Sequence, residues 1–206
     1  MLMDHTLLVI DQVTNWMTND FAIHDEHGAP IGTIATEGGL GSRLLAGNRE
    51  FSVYDGEQKL LGLYDVPNFG FDTFEVTDGG GALIAQVTKE LAFFTTRLTI
   101  ELYAPSSDQS PDQAPDQASG PSVSQLVELS GDWLDYDFEA TIGGARAAQV
   151  ARRWPGAGEW FLGRNRYVVL FERGLPPQPR LGILGAIIAL DLIREKRERS
   201  RKNNRR

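Results

Sequence analysis

The chain of 206 residues contains no cysteine and only three histidines. The absence of cysteine excludes a disulfide framework, a thiolate metal site and a cysteine nucleophile. The segment HDEH (His24–His27) lacks the HExxH spacing that puts two imidazoles on one helix face, and its place before Gly28 is typical of a hairpin turn. We therefore predict no metal site, no cofactor and no catalytic residue.

The apolar run near the C-terminus is too short to cross a bilayer. Leu181 to Ile193 would span roughly 20 Å as a helix, whereas the hydrocarbon core is about 30 Å thick. Except for Asp191 this segment is apolar on every side, and such a helix belongs in the core of a protein. We predict a buried helix whose structural residues are Leu184, Ile187, Ile188 and Leu190.

Positive charge is scarce over most of the chain and concentrated at its end. From Arg194 onward there are eight basic and two acidic residues, a net charge of +6, and because the whole chain carries −8, residues 1–193 carry −14. This asymmetry can indicate an anionic partner, but a solvated helix end, whose cations the helix dipole favours, also explains it. Asp4 stands where a signal peptide carries positive charge, so we predict no export signal and a cytoplasmic location.

Four segments repeat one β-hairpin pattern. Each begins with a phenylalanine-led alternating strand, passes through a polar or glycine-rich turn, and continues into a second strand. Further short strand-like runs lie between them, and a sheet closed around the apolar helix would bury that helix and remove exposed strand edges. The four hairpins are FAIHDEHGAPIGTIATE (Phe21–Glu37), FSVYDGEQKLLGLYDV (Phe51–Val66), FEVTDGGGALIAQVTKE (Phe74–Glu90) and FEATIGGARAAQVARRW (Phe138–Trp154).

A segment rich in proline, serine, aspartate and glutamine interrupts this pattern between Ala104 and Ser122. It has too few apolar residues to bury, so we predict a disordered loop over 104–122. The carboxylates of Asp65 and Asp72 have no activating neighbour in the sequence, and we interpret them as part of solvated strand faces. The chain then forms one domain over 1–199, followed by a basic tail over 200–206.

Two C-terminal stretches resemble the phospholipid scramblase and LURP-one-related family of the Tubby C-terminal-like superfamily. They are LSGDWLDYDFEATIGGARAAQVARRW and EWFLGRNRYVVLFERGLPPQPRLGILGAIIALDLI, and NDFAIHDEHGAPIG and FDTFEVTDGGGALIAQVTKEL are similar to earlier units of the family. The resemblance implies a mainly β fold, a closed antiparallel barrel of about 12 strands around a central hydrophobic C-terminal helix.

The resemblance argues against calcium-activated lipid scrambling in this chain. Where eukaryotic scramblases have an acidic calcium-binding segment before the final helix, this chain has GRNRYVVLFERGLPP (Gly163–Pro177), with Arg164 and Arg166 in place of carboxylates. Calcium requires several oxygen ligands, which guanidinium groups oppose. The soluble LURP-one-related branch, without known catalysis, is the nearer analogue, which implies a protein that is not an enzyme.

Three functions remain open at this point. The first is a non-enzymatic module that contacts anionic phospholipid headgroups and is peripheral at the inner face of the plasma membrane. The second is a scramblase-like protein that moves phospholipids between leaflets. The third is a nucleic-acid-associated protein, for which the sequence carries no strong signal. We favour the first. Its predicted lipid-binding residues are Arg152, Arg153, Arg164, Arg166, Arg194, Lys196, Arg197, Arg199, Arg201, Lys202, Arg205 and Arg206.

Overall fold

The computed structural model describes residues 1–11, 20–36, 50–66, 72–90, 96–104, 122–132, 137–151 and 166–203, without the side chains at 20, 195 and 198–203. These residues form a short 3-10 turn (Leu2–Asp4), twelve strands and one long helix. The elements are β1 (Leu7–Asp11), β2 (Asp20–His24), β3 (Pro30–Thr36), β4 (Glu50–Asp55), β5 (Gln58–Val66), β6 (Thr73–Asp78), β7 (Leu83–Glu90), β8 (Thr96–Tyr103), β9 (Val123–Asp132), β10 (Asp137–Ile142), β11 (Ala145–Ala151), β12 (Arg166–Phe171) and α1 (Pro177–Asn203).

The twelve strands form a closed antiparallel barrel. Each strand pairs with its neighbours in sequence, and β12 pairs with β1 to close the sheet. The β1–β12 pairing covers five residue pairs, whereas β1 and β2 share only two, Val9 with His24 and Ile10 with Ile23. Closure leaves no exposed strand edge in the ring. The predicted fold class is therefore confirmed.

The four predicted hairpins all form, and two of their turns are built alike. Asp25 Oδ1 accepts hydrogen bonds from the backbone N–H groups of His27 and Ala29, each at 2.9 Å. Asp78 Oδ1 accepts equivalent bonds from Gly80 and Ala82, also at 2.9 Å. All four hairpins carry a register shift close to the turn, a feature that increases strand twist; the shifts lie at Ile23/His24, Val53/Tyr54, Val76/Thr77 and Ala140/Thr141.

The phenylalanine that opens each hairpin points into the barrel. Phe51 and Phe74 are fully buried, Phe138 is 1% exposed and Phe21 is 8% exposed. Because side chains alternate along a strand, every second residue after these aromatics also faces inward. These side chains pack with those of α1 in a single hydrophobic core.

Helix α1 runs through the middle of the barrel. Its residues Leu184, Ile187, Ile188 and Leu190 are each at most 1% exposed. The helix starts at Pro177, four residues before the start of the apolar run, and its backbone stays helical to Asn203, into the segment that the sequence analysis placed in a tail from residue 200. None of the described helices is long and apolar enough to cross a membrane.

The start of the helix is anchored beside the N-terminal 3-10 turn. Arg180, only 7% exposed, donates hydrogen bonds from Nη1 to the backbone oxygens of Met3 (2.6 Å) and His5 (3.4 Å). Leu2 is fully buried, and its backbone N–H donates to Asp55 Oδ2 at 2.7 Å. We call this end of the barrel, which also holds the four hairpin turns, the turn end, and the opposite end, where the helix emerges, the rim.

Two predictions cannot be compared with the structure. The predicted disordered loop over 104–122 lies outside the described residues except for its two ends, where the N–H of Ala104 donates to the carbonyl oxygen of Ser122 at 3.1 Å. Arg152, Arg153, Arg164, Arg205 and Arg206 lie wholly outside, and only the backbone is described for Arg199, Arg201 and Lys202.

Candidate functional site

The inward-facing residues of the barrel pack against α1, so a ligand would bind at the surface of the barrel. One cleft of about 340 Å³ opens at the turn end, between the 3-10 turn and the β2–β3 and β4–β5 hairpins. The carboxylate of Asp55 in this cleft already binds the Leu2 N–H. Its lining residues are Met1, Leu2, His5, Pro30, Ile31, Gly32, Thr33, Asp55 and Gly56.

At the rim, the topology brings together cations that are far apart in sequence. Arg166 is the first residue of β12, at the strand end opposite the hairpin turns. Arg194, Lys196 and Arg197 follow the last fully buried turn of α1; Arg194 and Lys196 are half-buried and Arg197 is exposed. Because the helix runs along the axis of the antiparallel barrel, Arg166 and the three cations of α1 lie at the same end.

Lys196 is held at the rim by two carboxylates and an aromatic ring. Its Nζ lies 2.7 Å from Asp65 Oδ2, 2.9 Å from Asp65 Oδ1 and 3.4 Å from Asp72 Oδ1. The same ammonium group lies 5.2 Å from the centroid of the Phe74 ring, within the range of a cation–π interaction. We call Asp65, Asp72 and Lys196 the rim clamp.

Asp65 reaches Lys196 because its side chain faces into the barrel mouth. Leu61 and Leu63 are fully buried in the core, and alternation along β5 puts Asp65 on the same inner face, paired in register with the buried Phe74. The Asp65 side chain is only 11% exposed. The interpretation of Asp65 as part of a solvated strand face is therefore wrong.

Asp72 lies just before β6 and has a second cationic partner. Lys89 Nζ lies 3.4 Å from Asp72 Oδ2, and the Lys89 backbone N–H donates to the Asp72 carbonyl oxygen at 3.0 Å. The Lys89 side chain is 15% exposed and that of Asp72 is 25% exposed. Asp72 therefore pairs both with Lys196 of α1 and with Lys89 of β7 in the barrel wall.

Arg166, a predicted lipid-binding residue, also pairs with a carboxylate of the barrel. Its Nε donates to Asp11 Oδ1 at 2.6 Å, across the β1–β12 closure. His24 Nε2 lies 3.6 Å from the other oxygen of Asp11. His24 is 14% exposed, whereas His27 in the turn is 80% exposed beside Glu26, so the two histidines of the HDEH segment have different surroundings. Among the described residues, no group of three or more histidine or carboxylate side chains could hold a metal ion.

The outer wall of the barrel carries carboxylates between its two ends. Glu75, Gln86 and Glu101 stand side by side across β6, β7 and β8. Partial burial and the nearby charges of Glu101 and Glu75 raise the pKa of Tyr103 above its ordinary value, and its hydroxyl lies 3.4 Å from Glu101 Oε2. This part of the wall is acidic and would be repelled by an anionic surface.

A family model described as LURP-one-related matches residues 5–191, which include all twelve strands and most of α1. The chain belongs to the LURP-one-related family. The family match ends before Arg194, so the C-terminal cations lie beyond the part of the chain that it covers.

Among solved structures, this LURP-one-related chain is similar to the X-ray structure of a protein from Arabidopsis thaliana. The two share 18% sequence identity with a TM-score of 0.50, and the match covers 88% of this chain and 89% of the other. At that identity the likeness supports the barrel fold alone. No curated protein matches this chain.

Sequence reasoning missed the carboxylates that bind the predicted lipid-binding cations. The signal for Asp65 was present, since it stands two residues after Leu63 and four after Leu61 in an alternating strand. No comparable signal joins Asp65 or Asp72 to Lys196, because that contact spans more than 120 residues of sequence. Arg180 was also missed, although it precedes the apolar run directly.

Proposed function

We propose that this LURP-one-related protein is a non-enzymatic binding module whose rim contacts anionic phospholipid headgroups at a membrane surface. The proposal rests on the convergence of Arg166 and the C-terminal cations at one end of the barrel. Helix α1 continues ten residues past Ile193, the last residue of its fully buried stretch, and so carries the positions of Arg199, Arg201 and Lys202 away from the core. A cationic helix end of this kind suits a negatively charged surface.

The charge distribution supports an approach through the rim alone. Residues 1–193 carry −14, so the body of the protein is repelled by the surface that attracts the end of the helix. Each lysine or arginine near an anionic membrane contributes about 1 kcal/mol, attenuated over the Debye length. We therefore propose weak, salt-sensitive association, which fits a cytoplasmic protein that is peripheral at the inner face of the plasma membrane.

The scramblase-like alternative, in which α1 inserts into the bilayer, would require the helix to leave the barrel. The apolar side chains of α1 that face the barrel wall, including Leu184, Ile187 and Ile188, are fully buried or nearly so. Insertion would move these helix side chains into hydrocarbon, but the strand residues that pack around the helix, such as Val76 and Leu102, would be exposed to water, at a cost of about 1.5–3 kcal/mol for each fully buried side chain. The packing of the core favours surface contact over insertion.

Sedimentation with vesicles tests the proposal. The full chain is mixed with vesicles of phosphatidylcholine, with or without phosphatidylserine, at low and high salt. We expect binding only to the anionic vesicles at low salt, and a loss of about tenfold or more in affinity when Arg199, Arg201 and Lys202 are changed to glutamine. The matched control changes Lys59, Arg146 and Arg173 at the turn end to glutamine, which removes the same charge and should leave binding nearly unchanged.

Three results would contradict the proposal. Binding that survives high salt and the tail substitutions would indicate apolar insertion and favour the scramblase-like alternative. Equal losses from the tail and turn-end substitutions would indicate a response to net charge without a defined surface. Binding to RNA, with none to vesicles, would favour the nucleic-acid alternative.

A further inference from the structure

We infer that the rim clamp is an autoinhibitory contact, in which Asp65 and Asp72 compete with an anionic membrane for Lys196. The inference rests on the proposed function. In the closed clamp the Lys196 ammonium lies 2.7 Å from Asp65 and 3.4 Å from Asp72, so its charge is neutralised within the protein. A phosphate or carboxylate group of a lipid offers the same chemistry as these two side chains, and can replace them as the partner of Lys196.

The clamp sits where the buried part of α1 gives way to its exposed end. Ile193 is fully buried, Lys196 is 36% exposed on its side chain, and Arg197 is exposed. Lys196 therefore ties this part of the helix to the barrel wall through two carboxylates. This attachment holds the following turns of the helix close to Asp65 and Asp72.

The two carboxylates respond differently when Lys196 leaves. Asp72 keeps Lys89, whose Nζ lies 3.4 Å from its other oxygen, so it stays paired. Asp65 has an 11% exposed side chain, and the hydrogen bonds and ion pairs described for it both go to Lys196. A partly buried carboxylate without a cation is unfavourable, so Asp65 draws Lys196 back and makes the release reversible.

A double-mutant cycle on the full chain tests the inference. Asp65→Asn with Asp72→Asn should raise affinity for phosphatidylserine vesicles about fivefold over the control pair, the factor expected when one lysine becomes available to an anionic surface. The control pair, Glu57→Gln with Glu128→Gln, removes the same charge from exposed positions away from the rim. Adding Lys196→Gln to both pairs should abolish the difference between them.

Hydrogen exchange provides a readout that needs no lipid. The backbone amides of residues 194–203 should exchange faster in the Asp65→Asn, Asp72→Asn protein than in the wild type, because the helix end loses its anchor. If the double variant does not fold, Asp72→Asn alone should give a smaller change in the same direction, since Asp72 is the more exposed carboxylate and Lys89 remains beside it.

The inference is overturned if the clamp substitutions and the control substitutions raise the affinity for phosphatidylserine vesicles equally, or if the difference between them persists when Lys196→Gln is added. It is also overturned if the amides of residues 194–203 in the double variant exchange at the wild-type rate. Absence of vesicle binding by every variant would overturn the proposed function, and with it the competition. Failure of the inference and failure of the proposed function are distinguishable. If no variant binds vesicles but the amides of residues 194–203 still exchange faster in the double variant, the rim clamp is a structural anchor and the proposed function is wrong.

Discussion

At the scale of single residues, small differences in surroundings decide what each side chain does. Asp65 and Glu75 are both strand carboxylates, but Asp65 lies on the inner face of β5 and binds Lys196, whereas Glu75 lies on the outer wall. Gly182 and Gly185 both let α1 approach the barrel wall, but Gly182 lies closest to Leu102 and Gly185 closest to Val76. The residue type alone gives neither distinction.

The two helix glycines should respond differently to alanine. A Cβ at Gly185 would lie 2.7 Å from Cγ2 and 3.2 Å from Cγ1 of Val76, whose β-branched side chain has little rotamer freedom. A Cβ at Gly182 would lie 2.6 Å from Cδ2 of Leu102, the end of a more flexible side chain. Alanine gains about 1 kcal/mol of helix propensity at either site, whereas overpacking costs about 1–3 kcal/mol.

We therefore expect Gly185→Ala to lower the free energy of unfolding by about 1 kcal/mol, and Gly182→Ala to leave it unchanged or raise it slightly. Urea unfolding of both variants measures the difference. Equal effects of the two substitutions would show that contact with the wall does not distinguish these positions.

At the scale of elements, α1 combines two roles along one continuous helix. Its first half is anchored by Arg180 and packed inside the barrel, and its second half carries the cations past the rim. The rim clamp lies at the junction between these halves. The packing of the first half of α1 in the core therefore determines where its cationic end leaves the barrel.

The buried half of α1 should not tolerate charge. Ile187 is 1% exposed, and a carboxylate placed there without a partner costs several kcal/mol, a large part of the stability of an ordinary domain. We expect Ile187→Asp to unfold the protein or to reduce its thermal stability severely, as measured by circular dichroism. The control Arg197→Asp, at an exposed position of the same helix, should keep the fold; a soluble Ile187→Asp protein with wild-type melting would contradict the packing of α1 in the barrel.

At the scale of the whole molecule, closure of the barrel separates two ends with different roles. Tight hairpin turns, the 3-10 turn and the start of α1 occupy the turn end, and the described cations of the helix end occupy the rim. Strand β8 ends at the turn end, at Tyr103, and β9 starts there, at Val123, so the chain between them is attached to the barrel at that end. Changes to this connection should therefore leave the rim unaffected.

Deletion of Ser106–Ser119 tests this separation. The hydrogen bond between Ala104 and Ser122 already joins the two strand ends, and loop length enters the closure entropy only logarithmically. We expect the free energy of unfolding to change by about 1 kcal/mol or less, and vesicle binding to stay as in the full chain. A loss of several kcal/mol in urea unfolding would mean that the segment is part of the folded structure, and would contradict its interpretation as a disordered loop.

The sequence by itself determined the architecture of this LURP-one-related chain. Alternation behind Phe21, Phe51, Phe74 and Phe138 specified four hairpins, and the apolar run from Leu181 specified a buried helix that a closed sheet could surround. These features could be predicted because strand alternation and helix periodicity are local and repeat along the chain. The helix starts at Pro177, before the apolar run, where hydrophobic periodicity gives no signal but proline is favoured, because the first helical position needs no N–H donor.

Only the tertiary structure decided how the predicted cations are partnered. Asp65 with Lys196, and Asp11 with Arg166, are contacts between residues 131 and 155 positions apart, which no local pattern records. The barrel creates them by bringing strand ends and the helix exit to one rim. The charges of the rim follow from composition, but their partners follow from closure of the sheet, because an ion pair depends on distance in space and not on position in the chain.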